Sequence, residues 1–372
     1  MKNKLGLYIH IPFCASKCSY CDFYSFAANV GQIDEYIKAL IKQIKNWSEK
    51  CTQYVVDTVY FGGGTPSLIG GERLSIIIKT IYDSFNVKSD AEITVECNPD
   101  SINEGLLLNL KKVNVNRLSI GVQAMQDDML KALSRRHTAF EAKQAVKLAK
   151  KHGFNNISLD LMYALPNQSI DMVLDSLNQM LELEPTHLSC YALKVEDGTP
   201  LAKQNPILPD EDIAADMYNA ICDTLKNHGF EHYEISNWAK NGYYSRHNSR
   251  YWDLSEYLGI GSSAHSLFNG QRFEYSANIN DFISGVKPIE EEQVDGFNRA
   301  DEFIMLSLRT SRGINSFEYE QKFNKSFKPI EKALKKYIAH GLVQNKNDTW
   351  FLTETGFLVS NAILSDVLTS VE

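Results

Sequence analysis

The chain has no apolar run approaching the roughly 18 residues that a membrane-spanning helix requires, which excludes an integral membrane segment. Positive charge is in deficit: 38 lysines and arginines face 46 aspartates and glutamates, for a net charge of −8. That balance argues against broad nucleic-acid binding and leaves room only for a local basic patch. Low-complexity segments and long charge runs are missing, so disorder is expected only at the ends. Seven cysteines, an odd number scattered over 372 residues with no secretory signal, exclude a disulfide framework. Free thiols of this kind predict a reducing, cytoplasmic compartment. What remains is an ordinary globular composition, 44% hydrophobic and 23% charged, long enough for one large domain plus a small one.

The cysteines that are present are informative in their spacing. Cys14, Cys18 and Cys21 form C-x3-C-x2-C directly after a short apolar strand. Three thiolates on one tight loop can hold three corners of a cubic 4Fe–4S cluster. Such clusters normally take four cysteine ligands, so one iron would remain open for another ligand. A zinc site would want four Cys or His ligands in paired runs. Here the second pair is missing, although His10 lies close by.

Residues 5–191 read as six strand–helix units. Short apolar strands are expected at 7–10, 58–61, 92–96, 117–120, 157–161 and 188–191. Between them, apolar residues recur at three- and four-residue steps, as in Ile33, Tyr36, Ile37, Leu40, Ile41, Ile44 and Trp47. Alternating strands and helices imply parallel pairing and a sheet curved like part of a (β/α)8 barrel. The C-terminal end of every strand is polar or glycine-rich. After the first come the cysteines, after the second Gly62-Gly63-Gly64-Thr65-Pro66. Glu96 closes the third, Gly121 and Gln123 follow the fourth, Asp160 ends the fifth and Tyr191 the sixth. Barrel-like folds carry their active sites on that rim.

At this point the chain resembles the radical S-adenosylmethionine (SAM) proteins of the anaerobic coproporphyrinogen III oxidase superfamily, over nearly its whole length. The resemblance implies a partial (β/α)6 barrel with a small C-terminal domain. It implies that Cys14, Cys18 and Cys21 bind a 4Fe–4S cluster and that SAM chelates the open iron. By the same resemblance Gly63, Gly64, Thr65, Glu96, Gln123, Arg135 and Asp160 contact SAM, and Tyr8 stands beside the cluster. Oxidases of the superfamily carry a fourth cysteine two residues after the third; here that position is Phe23. The chain is therefore more similar to the heme-chaperone branch. His247-Asn248-Ser249-Arg250-Tyr251-Trp252 matches that branch's H-N-x-x-Y-W motif, in which His247 is the expected heme ligand. The implied cofactors are the cluster, SAM and heme. The implied partners are heme-accepting proteins such as cytochromes and an electron donor for the cluster. The alternative, an oxygen-independent coproporphyrinogen III dehydrogenase acting in porphyrin biosynthesis, would decarboxylate its substrate by SAM-derived radical chemistry. No catalytic side chain is assigned. His265, in the glycine-rich stretch 258–266, suits either a ligand contact or a structural hydrogen bond.

The division is expected at 1–285 for the barrel with its heme-motif extension and 286–372 for the C-terminal part. The latter reads as helix, helix, hairpin, helix, a winged-helix-like pattern. Its lysines Lys332, Lys335 and Lys336 make only a modest patch, which favours a lid or docking role over DNA binding.

Overall fold

The computed structural model describes residues 3–293 and 298–371. Six parallel strands pair in chain order: β1 (Asn3–Ile11), β2 (Tyr54–Gly63), β3 (Val87–Cys97), β4 (Arg117–Gln123), β5 (Asn156–Tyr163) and β6 (His187–Ala192). Alternate positions differ in character: Leu118, Ile120, Leu159 and Leu161 lie in the apolar core, while Arg117, Ser119 and Asp160 line an interior cavity. All seven residues of β4 are buried. The intervening helices are α1 (Val30–Lys50), α2 (Gly71–Ser84), α3 (Glu104–Lys112), α4 (Asp127–Ala132), α5 (Ala139–Lys151) and α6 (Ile170–Leu181). Asn29, Asn103, Thr138 and Ser169 start α1, α3, α5 and α6 by accepting a backbone N–H three residues on. One stripe of α1, made of Ile33, Tyr36, Ile37, Leu40 and Ile44, is buried against the sheet.

The sheet grows further at both edges, which the sequence pattern did not suggest. Beyond β6, after α7 (Pro200–Lys203) and α8 (Glu211–Asn227), lie β7 (Glu231–Glu234) and β8 (Asn237–Ala239); β8 pairs antiparallel with β6. Beyond β1 runs β9 (Tyr257–Ile260), parallel to it, then β10 (His265–Phe268), β11 (Gln271–Glu274) and β12 (Ile289–Gln293). The result is a twelve-stranded sheet in the order β12-β11-β10-β9-β1-β2-β3-β4-β5-β6-β8-β7. The added strands have three to five residues each, too short to show a period of two. The H-N-x-x-Y-W motif forms α9 (Arg246–Asp253).

The C-terminal part contains the expected hairpin, 343–346 with 349–352, joined by Ile314–Asn315 into a three-stranded sheet. Helices Asn298–Ser307, Ser316–Phe323 and Lys328–Lys335 precede the hairpin, and the last helix breaks in two at Val359. This part is fused to the barrel. Ile235 N–H donates to Arg309 O (3.0 Å) and Ser311 N–H to Tyr233 O (3.0 Å). One apolar core runs unbroken from Leu5 to Val367. No described helix is long and apolar enough to cross a membrane.

Candidate functional site

The cysteine loop leaves β1 at Ile11 and is pinned at both ends. Cys14 N–H donates to Phe26 O and Phe26 N–H to Pro12 O, both at 3.0 Å. The end of β2 holds it from the other side: Gly64 N–H reaches Ile11 O (2.8 Å) and Thr65 N–H reaches Phe13 O (2.8 Å). Phe13 is fully buried, edge-on to Phe26 and Tyr36. The loop is therefore anchored by its backbone and one aromatic side chain, while the three thiols stay half-exposed on one cavity of about 480 Å³.

This geometry explains the glycines. A Cβ at Gly64 would sit 2.7 Å from Phe13 O, and one at Gly63 would meet the His10 ring at 2.5 Å. Gly64 is needed first so that the cysteine loop can lie on β2, and Gly63, at φ +113°, so that β2 can pass the His10 ring. Gly64→Ala is expected to cost about 1–3 kcal/mol through overpacking. It should also lower reconstituted iron and sulfide with all three cysteines intact. Full cluster content in that variant would refute this account of the glycine.

The cavity collects the rim residues that the strand-end pattern predicted. Glu96 accepts from Tyr60 OH (2.7 Å) and Gly63 N–H (3.3 Å). Arg135 Nη2 donates to Asn98 Oδ1 (2.8 Å) and Gly121 O (2.6 Å), and Nη1 lies 3.5 Å from Cys18 Sγ. Thr65 Oγ1 accepts from Asn98 and lies 3.5 Å from Cys14 Sγ. Gln123 adopts a left-handed backbone (φ +73°) where β4 slips register, and Tyr191 OH fixes its side chain at 2.9 Å. Ser119 reaches Asp160 at 3.5 Å. Burial pushes the Asp160 carboxyl up to about 7, with the nearby Glu96 charge adding to it. Glu96 is raised as well, by burial against the opposing pull of Tyr60.

Arg117 was missed at sequence level because it opens a strand whose far end carried the rim signal. It is buried in the barrel interior and lines the same cavity, with Nε and Nη1 lacking a hydrogen-bond partner. Arg135 Nε is likewise buried without one. Two carboxylates with raised pKa and two guanidiniums with spare donors suit a ligand carrying ammonium, carboxylate and hydroxyl groups together. The donor set thus fits SAM beside a three-thiolate cluster.

Two expected residues lie elsewhere. Tyr8 does not line the cysteine cavity; it faces an adjoining one of about 440 Å³, with its OH 3.1 Å from His10 Nδ1. His247 departs further from expectation. Its ring is 0% exposed, with Nδ1 at 2.9 Å from Thr58 Oγ1 and Nε2 at 3.0 Å from Tyr251 OH. Burial holds its pKa down at about 3, helped by the Arg250 and Arg117 charges. A heme ligand needs a ring nitrogen facing a cavity, and in this arrangement His247 offers none. Further contacts lock α9 in place: Arg250 pairs with buried Asp57, and Glu92 accepts the Arg246 and His247 N–H groups. Cys97 lies at the cavity, and burial pushes its thiol up to about 12. Cys190, buried in β6, is raised well above the ordinary thiol value for the same reason.

A parallel half-barrel whose first strand-end loop carries Cys-x3-Cys-x2-Cys defines a radical SAM protein, and residues 8–180 match the radical SAM superfamily. Residues 295–359 match the HemN C-terminal domain. The heme chaperone HemW of Escherichia coli (strain K12) is 35% identical over 367 residues, covering 97% of each chain. The heme chaperone HemW of Bacillus subtilis (strain 168) is 34% identical over 372 residues, covering 97% of this chain and 98% of that one. In structure, coproporphyrinogen III oxidase (HemN) of Escherichia coli, a radical SAM enzyme, superposes with a TM-score of 0.87 at 21% identity, covering 99% of this chain and 90% of that chain. Within the radical SAM class, the chain belongs to the HemW heme chaperone family.

Proposed function

We propose that this protein is a heme chaperone: it binds a 4Fe–4S cluster, SAM and heme, and hands heme to acceptor proteins such as cytochromes. The observation that carries the reading is near-full-length identity to curated heme chaperones in a chain whose cysteine loop and rim residues converge on one cavity. Cys14, Cys18 and Cys21 hold the cluster. Thr65, Glu96, Gln123, Arg135 and Asp160 hold SAM, with Gly63 and Gly64 setting the wall. When bound, the cluster supplies an open iron and one-electron chemistry. The chain's own part is to orient and desolvate. Arg135 spans Cys18, Asn98 and Gly121 and so ties the cysteine loop to β3 and β4. Arg117 and Arg135 present guanidinium donors, while Glu96 and Asp160 present carboxyls to the polar end of the ligand. Phe23, where an oxidase would have a further cysteine, is 68% exposed at the cavity lip.

The C-terminal part serves as a lid or a docking face for partners. Its lysines are neutralised locally, Lys335 by Glu331 (2.7 Å) and Lys336 by Asp366 (3.0 Å), which supports a role without nucleic acid. A cytoplasmic electron donor for the cluster completes the reading.

The test gives anaerobically reconstituted protein coproporphyrinogen III with SAM and a reductant, and separately hemin. Hemin retention without conversion of coproporphyrinogen III is expected. SAM-dependent decarboxylation with no hemin bound would overturn the reading in favour of the dehydrogenase.

A further inference from the structure

We propose that Tyr251 is a latch on His247: its hydroxyl occupies Nε2, the ring nitrogen that ligates heme iron, and heme is admitted when the Tyr251 side chain turns away. This rests on the heme-chaperone reading, with His247 as the heme ligand that the reading implies, and names what controls access to it. The two ring nitrogens have different surroundings. Nδ1 lies 2.9 Å from Oγ1 of Thr58, a fully buried residue of β2. Arg250 Nε donates to the same oxygen at 3.2 Å, so the barrel wall closes that side. Tyr60 and Tyr8 stack against the ring, with centroids 5.2 Å and 6.4 Å away at 26° and 29°. Nε2 has Tyr251 OH, at 3.0 Å, as its one hydrogen-bond partner among the described residues. Tyr251 is half-buried and lines the adjoining cavity of about 440 Å³. Iron therefore has one way to the imidazole, past Tyr251.

The spacing within the motif makes the latch. Residues four apart share a helix face, so Tyr251 stands one turn from His247 on α9, with its ring perpendicular (86°, centroids 5.5 Å apart). Its hydroxyl makes no other hydrogen bond among the described residues. The helix itself is pinned: Glu92 accepts the Arg246 and His247 N–H groups, Ser245 caps the first turn and Arg250 pairs with Asp57. Opening is therefore the rotation of one side chain toward a cavity it already borders, with the backbone in place. Thr58 then becomes the partner behind the ligand. A ligating Nε2 carries no proton, so Nδ1 carries it and donates to Thr58 Oγ1. That oxygen has two lone pairs, one for Nδ1–H and one for Arg250 Nε–H. A hydrogen bond of this kind fixes the tautomer and the ring orientation of a ligating histidine. Coordination replaces the Tyr251 O–H···Nε2 bond by an iron–nitrogen bond. The ring loses no proton and the iron keeps its oxidation state. Tyr251 and Thr58 are positioning residues.

The full-length protein, reconstituted with its cluster, is mixed with hemin and followed through its Soret band, in stopped flow and at equilibrium. Wild type should show imidazole-ligated heme. Tyr251→Phe keeps the ring and removes the latch. It should speed hemin association by about 2- to 10-fold, the worth of one released hydrogen bond, with the wild-type band shape. Thr58→Val should weaken hemin binding by about 10- to 100-fold with iron–sulfur content intact, and Thr58→Ser should restore it. His247→Ala should lose the imidazole signature, and added imidazole should return it. If Tyr251→Phe associates no faster than wild type, or loses the imidazole band, Tyr251 is not a latch and the proposal is overturned while heme binding stands. Wild-type affinity in Thr58→Val, or a wild-type spectrum in His247→Ala, would overturn the assignment of Nε2 as the ligating atom. If wild type binds no hemin, the chaperone reading itself falls.

Discussion

Replacing any one of Cys14, Cys18 and Cys21 by alanine is expected to abolish the iron–sulfur cluster, taking reconstituted iron and sulfide from about four of each per monomer to near background. Three thiolates leave no redundancy. The position that supplies a further cysteine in related oxidases is Phe23 here. Cys51, Cys97, Cys190 and Cys222 are buried, and burial raises all four thiols, so none can swing in as a substitute. His10, the nearest imidazole in sequence, is already hydrogen-bonded through both ring nitrogens. The loop itself should survive the substitutions, because its anchors are backbone hydrogen bonds and the buried Phe13 ring. Far-ultraviolet circular dichroism should therefore be unchanged while iron and sulfide vanish. A single-cysteine variant that retains a full cluster would show that the ligands lie elsewhere.

Asp160→Asn is expected to move stability and SAM binding in opposite directions. In the folded chain the Asp160 carboxyl is pushed up to about 7, because partial burial in the cavity wall and the nearby Glu96 charge both disfavour its ionised form. In the unfolded chain it titrates at about 3.9. A folded pKa raised in this way gives stability that is complete below the unfolded value and is lost as pH rises through the folded one. By pH 8 the half-buried charge costs at most roughly 4 kcal/mol, since each tenfold change in acidity is worth about 1.36 kcal/mol. Asparagine removes that cost. The SAM-free variant should therefore outlast wild type in denaturant, by a margin that widens from pH 5 to pH 8. The same change removes a charged acceptor worth about 1.5–3 kcal/mol, so SAM affinity should fall by about 10- to 100-fold. Unaltered SAM affinity would show that Asp160 does not face the ligand, and a variant no more stable at pH 8 would show that its carboxyl is not raised in the folded chain.

The barrel was legible because its strands and helices obey simple periods. The central strands alternate, with Leu118, Ile120, Leu159 and Leu161 in the apolar core and Arg117, Ser119 and Asp160 lining the cavity, and the longer helices show a buried stripe such as Ile33, Ile37, Leu40 and Ile44 of α1. The rim residues were legible for a related reason. A polar residue at the end of an apolar strand, as at Glu96 or Asp160, has nowhere to point but the mouth of the barrel. What escaped was set by tertiary contacts. The short strands β7 to β12 are specified by their neighbours in the sheet, since three to five residues carry no pattern of their own. Arg117 reads as the polar start of a strand, and only the closed geometry turns it into the barrel. His247 reads as an aromatic-flanked ligand. Its ring nitrogens are taken by Thr58, which lies 189 residues away, and by Tyr251 on its own helix. No local signal announces the first of these.

The most direct measurement of the central claim is the simultaneous content of acid-labile sulfide and protoporphyrin in one anaerobically purified sample supplied with SAM and hemin. The heme-chaperone reading predicts about four sulfides and one porphyrin per monomer, held together. Porphyrin near zero, or porphyrin gained only as sulfide is lost, would contradict it.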